Sequence, residues 1–209
     1  MIENSMTQSN NSSDHGAYHQ HSALFNAFFA ISMTVGRGPV GRCVADLAGL
    51  TPDDQVVDIG CGPGTAVRVA AGRCANATGV DPSPTMLRFG RWLNALGRTR
   101  NVALVQGSAE RIPLPDHDAT VLWALSSVHH WSNRADGLAE AVRVLAPNGR
   151  LLLVERLVKP GAHGGLTGDQ VDQLMSDVEA AGFTDVYRDT QSAGRRVLNV
   201  VRGSRGPAN

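Results

Sequence analysis

Two carboxylates and three glycines carry the most specific chemistry in this chain. Asp58 sits in an apolar run, Val56-Val57-Asp58-Ile59, and the loop Gly60-Cys61-Gly62-Pro63-Gly64-Thr65 follows with a glycine at every second position. This pattern predicts a buried strand, a tight turn and the start of a helix. Glycine lacks a Cβ, so such a turn can reach positive φ and let a ligand approach its backbone closely. The N–H groups that open the next helix then face that ligand. A carboxylate at the strand end suits an ammonium and disfavours a pyrophosphate. Twenty-one residues after Gly60, Asp81 ends a second apolar stretch, Thr78-Gly79-Val80. An acid at that spacing can accept hydrogen bonds from both hydroxyls of a ribose. A ligand with an ammonium and a ribose is therefore expected.

A second constellation lies at Ser126-Ser127-Val128-His129-His130-Trp131, directly after the apolar run Thr120 to Leu125. In open α/β sheets ligands bind beyond the carboxyl ends of strands. His129 and His130 are the candidate general bases there, because an imidazole titrates near neutral pH and can take a proton from a hydroxyl. The alternative is that one ring hydrogen-bonds within the loop and the other is solvated. Trp131 reads as core or pocket wall. Glu155 and Arg156 follow the next strand and are candidates to face an acceptor by position alone.

The elements that must hold these groups alternate strand and helix. A helix is expected from Ser22 to Val35, either packed on the domain or walling a pocket. Gly36-Arg37-Gly38-Pro39 breaks it, and a second helix runs to about Leu50. After the first strand, a helix spans Thr65 to Cys74, a strand Ala77 to Val80, and a helix opens at Ser83-Pro84 with a serine cap and proline in its first turn. Strands follow at Val102 to Gln106 and Thr120 to Leu125, then a helix from Ala135 to Leu145. Pro147-Asn148-Gly149 predicts a turn into a strand over Arg150 to Val154. Thr167 caps a helix reaching Ala181, with Gly182 after it. Asp185 to Arg188 and Arg196 to Arg202 predict an antiparallel pair. Residues 1–21 read as a flexible segment, 22–50 as helices forming a lid or pocket wall, and 51–203 as the core.

Composition narrows the function. The 209 residues carry 19 basic and 19 acidic side chains, so the formal net charge is zero. That balance provides no electrostatic footprint for nucleic acid. Cys43, Cys61 and Cys74 form no Cys-x-x-Cys pair, which favours reduced thiols and a cytoplasmic protein. Leu24 to Val35 is too short to span a bilayer, so no stable membrane insertion is expected. His15, His19 and His21, with Asp14, lack the cluster a metal requires, and no metal is expected.

Three motifs in fixed order carry a family resemblance: Asp58 to Gly64, Gly79-Val80-Asp81-Pro82-Ser83, and Arg143-Val144-Leu145-Ala146-Pro147-Asn148-Gly149. With them the chain resembles the class I S-adenosylmethionine (SAM)-dependent methyltransferases, and within these the small-molecule enzymes of the ubiquinone and menaquinone biosynthesis type. The resemblance implies an α/β fold: a Rossmann-like, doubly wound, seven-stranded sheet, mostly parallel with an antiparallel C-terminal strand and helices on both faces. It implies SAM as cofactor, S-adenosylhomocysteine as product, and a cofactor-binding set of Asp58, Gly60, Cys61, Gly62, Gly64, Asp81, Pro82, Met86, Ser108, Ala109, Glu110 and Ala124. Met86 either covers the adenine or packs in the core. Ser108 and Thr120 stand where relatives usually carry an acid. Tyr18 is a lid candidate by the same resemblance. The acceptor it implies is a small molecule, most simply an oxygen of a phenolic or quinol-like compound, and a homodimer is compatible with it. Two alternatives remain open at this point. One is a non-catalytic SAM-binding regulatory or partner protein. The other is an NAD-dependent oxidoreductase, against which stand the G-x-G-x-G spacing and the lack of a lysine spaced for a Tyr-x-x-x-Lys pair with Tyr18 or Tyr187.

Overall fold

A computed structural model describes residues 38–193 and 196–207. The expected 1–21 segment, the Ser22–Val35 helix, Tyr18 and the three early histidines lie outside the described residues. The elements are α1 (Gly38–Leu47), β1 (Gln55–Ile59), α2 (Thr65–Ala71), β2 (Asn76–Asp81), α3 (Pro84–Gly97), β3 (Val102–Gln106), β4 (Ala119–Leu125), a single 3-10 turn (Val128–His130), α4 (Arg134–Val144), β5 (Leu145–Arg156), α5 (Gly168–Ala180), β6 (Phe183–Ala193) and β7 (Arg196–Arg205).

The strands form one seven-stranded sheet in the order β3-β2-β1-β4-β5-β7-β6. β1 to β5 pair in parallel, and β7 inserts antiparallel to both β5 and β6. Successive side chains on a strand point to opposite faces, and two apolar clusters follow from that alternation. Val56, Trp123, Leu152, Val154 and Leu198 face α1, α2 and α3 through Val44, Val67 and Leu87. Val57, Ile59, Leu122, Leu153 and Val201 face α4 and α5 through Leu138, Leu174 and Val178. Strands buried on both faces read as continuous apolar runs, which is why β1, β4 and β5 were visible in the sequence.

Boundaries differ where the chain departs from simple patterns. β5 begins at Leu145, because Ala146 to Gly149 bulge within the strand rather than turn before it. Ala119 pairs with Leu145 and Val121 with Arg150, and Asn148 has φ 62°. β6 and β7 run longer than expected because β6 is an edge strand whose side chains are mostly exposed, so hydrophobicity does not mark its length. Helix α1 stops at Leu47 and Gly49 follows at φ 58°, while α2 stops at Ala71 before Gly72. α5 carries the expected Thr167 cap, completed to a capping box by Gln170.

Thr120 stands at the N-terminal end of β4, opposite the end where ligands bind. Its hydroxyl donates to Asp54 at 2.6 Å and accepts from the Gln55 N–H at 3.0 Å. Asp54 also accepts from the Thr51 N–H at 2.7 Å and from Arg150, whose guanidinium ties back to the Ala48 carbonyl at 2.6 Å. Burial pushes the Asp54 carboxyl up, but the bonds from Thr120, Thr51 and Arg150 outweigh it and hold the group below the usual carboxylate range. A carboxyl depressed in the folded state adds stability above its unfolded value, about 3.9, and loses it as pH falls through the folded value. Asp54→Asn should therefore cost about 2 kcal/mol in urea unfolding at pH 7, a difference that shrinks as pH falls below about 3.9 and on through the folded value.

Candidate functional site

The turn after β1 is built as the glycine pattern requires. Gly60, Gly62 and Gly64 have φ of 73°, 55° and 76°, a region that costs a side-chain-bearing residue. At Gly60 space matters as well: a Cβ there would lie 2.4 Å from Ser127 Cβ. The N–H groups of Gly60 and Cys61 donate to the Val80 carbonyl at 2.8 and 3.1 Å, which sews the loop to the end of β2. Asp81 completes the seam. One of its oxygens accepts from the Gly62 N–H at 2.8 Å and the other from the Ser83 N–H at 2.9 Å. Asp58 and Asp81 are both buried, on neighbouring parallel strands.

A cavity of about 190 Å³ opens beside this loop on the α1–α3 side, and Asp58, Gly60, Cys61, Thr65, Ser126 and Arg156 contribute to its wall. Burial and the nearby charges of Asp58 and Asp81 push the Cys61 thiol well above its ordinary value, so it stays protonated at neutral pH. Gly79 makes room for it, since a Cβ there would meet Cys61 Sγ at 2.6 Å.

The other residues expected to bind the cofactor sit on several elements, and none of them contributes to the wall of this cavity. Pro82 leads into α3, where Met86 is buried one turn in and donates its N–H to Ser83. Ala124 is fully buried in β4 opposite Ile59. Ala109 is buried beyond β3, and Ser108 forms a bridge with Arg111. Glu110 reaches towards α4, where its carboxylate accepts from the Ser132 and Asn133 N–H groups at 2.7 and 3.2 Å. Burial pushes its carboxyl up, but backbone N–H bonds, its own and that of Asn133 foremost, together with the Ser108 and Ser132 bonds hold it below the usual range.

The histidine loop faces a second cavity, of about 430 Å³, whose wall includes His129, Trp131, His163, Gly164 and Gln170. Gly164 borders both cavities. His129 Nδ1 lies 2.9 Å from Glu155 Oε2, and the His129 N–H donates to the other carboxylate oxygen at 3.4 Å. Glu155 is 1% exposed. The His130 ring stands 4.0 Å from that of His129. Trp131 packs over Gly137, where a Cβ would come within 2.6 Å of the indole. The sequence marked Glu155 only by position. Its pairing with His129 joins residues 26 apart and depends on β4 and β5 being adjacent. Ser127 was missed as a support. Its hydroxyl donates to the Ile59 carbonyl at 2.7 Å and seats the histidine loop on the glycine loop. Among the described residues no three His, Cys, Asp or Glu side chains are grouped to hold a metal ion, and no helix is long and apolar enough to cross a membrane.

Comparison with known proteins accords with this geometry. The Methyltransferase domain family matches residues 57–153. A demethylmenaquinone methyltransferase of Tropheryma whipplei (strain Twist) is 30% identical over 199 residues, covering 79% of this chain and 80% of that protein. A 27-O-demethylrifamycin SV methyltransferase of Amycolatopsis mediterranei (strain S699) is 35% identical over 154 residues, 70% of this chain, which spans 56% of that relative's length. Among solved structures, a SAM-dependent methyltransferase from Aquifex aeolicus superposes with a TM-score of 0.70 at 16% identity over 89% of this chain and 100% of that one, which shows the shared fold. The chain belongs to the class I SAM-dependent methyltransferases. It is a transferase whose methyl donor is SAM.

Gly60→Ala tests the loop geometry. The variant should lose affinity for S-adenosylhomocysteine by more than about 100-fold and lose about 2–4 kcal/mol of stability, from the added strain at φ 73° and the overlap with Ser127. Calorimetric titration and urea unfolding measure the two effects.

Proposed function

We propose that this protein methylates a hydroxyl oxygen of a phenolic or quinol-like small molecule, with His129 as general base and Glu155 as the residue that positions it. The observation that carries the reading is the 2.9 Å contact between His129 and a buried carboxylate, at the edge of a cavity large enough for a small aromatic acceptor. A buried carboxylate is costly unless a partner and hydrogen bonds compensate it. Placed at Nδ1, it accepts that N–H and leaves the Nε2 lone pair to receive a proton. The rifamycin relative is named for an O-demethyl substrate and the menaquinone relative for a demethylmenaquinone, which supports a hydroxyl- or quinone-bearing acceptor.

The residues around the glycine loop fit the donor. Asp58 is a buried carboxylate suited to the ammonium of the methionyl group, Asp81 is the carboxylate that would accept from the ribose hydroxyls, and the positive-φ glycines carry no side chain to block a ligand from the backbone. Ser108 and Ala109 follow β3 at the carboxyl end of the sheet and are assigned here to the adenine edge. SAM, when bound, supplies a methyl group on a sulfonium that departs as a neutral thioether. What the chain must then add is alignment, exclusion of water and removal of the acceptor proton. His129 takes that proton, and Glu155 stabilises the imidazolium that results.

His129→Ala should lower kcat on a phenol or quinol acceptor by about 10²–10³-fold and leave the Kd for S-adenosylhomocysteine within about twofold. Glu155→Gln should lower kcat by a smaller factor. The loss in the His129 variant should shrink as the acceptor hydroxyl becomes more acidic, because a pre-ionised acceptor needs no base. Unchanged kcat in His129→Ala across such an acceptor series would overturn the base assignment.

A further inference from the structure

Asp58 is met across the first cavity by a charge of opposite sign. Arg156 is the one cation among the described residues that wall it. Its place there follows from strand alternation. On β5, Leu152 and Val154 face α1–α3, while Leu151 and Leu153 face α4 and α5. Arg156 continues the first series and Glu155 the second. The end of β5 thus sends a carboxylate to His129 on one side of the sheet and a guanidinium to the Asp58 cavity on the other.

The guanidinium retains capacity for a ligand. Of its five N–H donors, one from Nη2 goes to the His163 carbonyl at 3.0 Å, and among the described residues no carboxylate forms a salt bridge with it. The chain that crosses it is shaped to do so. Gly164 has φ 76°, and a Cβ at Gly165 would lie 2.2 Å from the Arg156 carbonyl. The Leu166 N–H donates to that same carbonyl at 3.0 Å.

An acid and a guanidinium on one small cavity match a ligand that carries an ammonium and a carboxylate on the same carbon. Asp58 attracts the first and repels the second, and Arg156 does the reverse. We propose that Arg156 recognises the methionyl carboxylate of the cofactor, so that this cavity selects the intact amino-acid end of SAM over nucleosides that lack the carboxylate. The inference rests on the reading that Asp58 faces the methionyl ammonium. Because Arg156 also holds the His163 carbonyl, and Gly164 borders both cavities, the same residue joins the cofactor side to the wall of the acceptor cavity.

The test is calorimetric titration of the full chain with SAM and with decarboxylated SAM, which keeps the ammonium and loses only the carboxylate. The wild type should prefer SAM by about tenfold or more, the scale of one charge-assisted hydrogen bond at a partly solvated site. Arg156→Ala and Arg156→Gln should both remove that preference by weakening SAM alone, with affinity for decarboxylated SAM held within about twofold. Arg156→Lys should retain part of it. The Gln variant keeps an N–H donor for His163, so its loss of preference would report charge rather than a collapsed loop. Equal wild-type affinity for the two ligands, or equal weakening of both by Arg156→Gln, would overturn the assignment. A wild type that binds neither ligand would overturn the placement of the cofactor cavity itself, and the Arg156 assignment with it.

Discussion

The register of β1 against β4 is the constraint on which the site depends. Ile59 lies opposite Ala124, so both strands end at the same level and their outgoing loops meet. Ser127 then fills the space over Gly60 and donates its hydroxyl to the Ile59 carbonyl. A one-residue slip would turn Asp58 to the wrong face and replace it with an apolar side chain. The parallel ladder prevents this, because both faces of these strands are buried and each register position has a packing partner.

From that register the division of labour between the two faces follows. Asp58 and Arg156 share the α1–α3 face with the 190 Å³ cavity, while Glu155 and His129 belong to the α4–α5 side with the larger one. Adjacent residues at the end of one strand therefore turn to opposite faces of the sheet. The glycines at 164 and 165 let the following segment fold back close to Arg156, and Gly164 reaches both cavities.

The opposite end of the sheet is organised for stability. Thr120, Asp54 and Arg150 form a hydrogen-bonded cluster that binds the start of β1 to β4 and to the chain after α1. At position 120, where the family resemblance leads one to expect an acid, the Thr120 hydroxyl bridges Asp54 and the Gln55 N–H. Thr120 lies at the end of β4 remote from both cavities, where its hydroxyl serves the packing of the strands.

Much of this architecture could be read from the chain. The buried strands appear as apolar runs, the turn chemistry of Gly60, Gly62 and Gly64 is local, and Ser83 and Thr167 mark helix starts through bonds to residues three positions away. Such features depend on near neighbours and leave a signature in composition and spacing. The bulge at Ala146 to Gly149 resembled a turn because its residues suit both, and edge strand β6 was read short because an exposed strand has no apolar face to mark its ends. The pairing of His129 with Glu155, the seat of Ser127 over Gly60 and the presence of Arg156 and Asp58 in the wall of one cavity came only from the tertiary structure. Each joins strands or loops distant in sequence, and only sheet order and register determine which side chains meet.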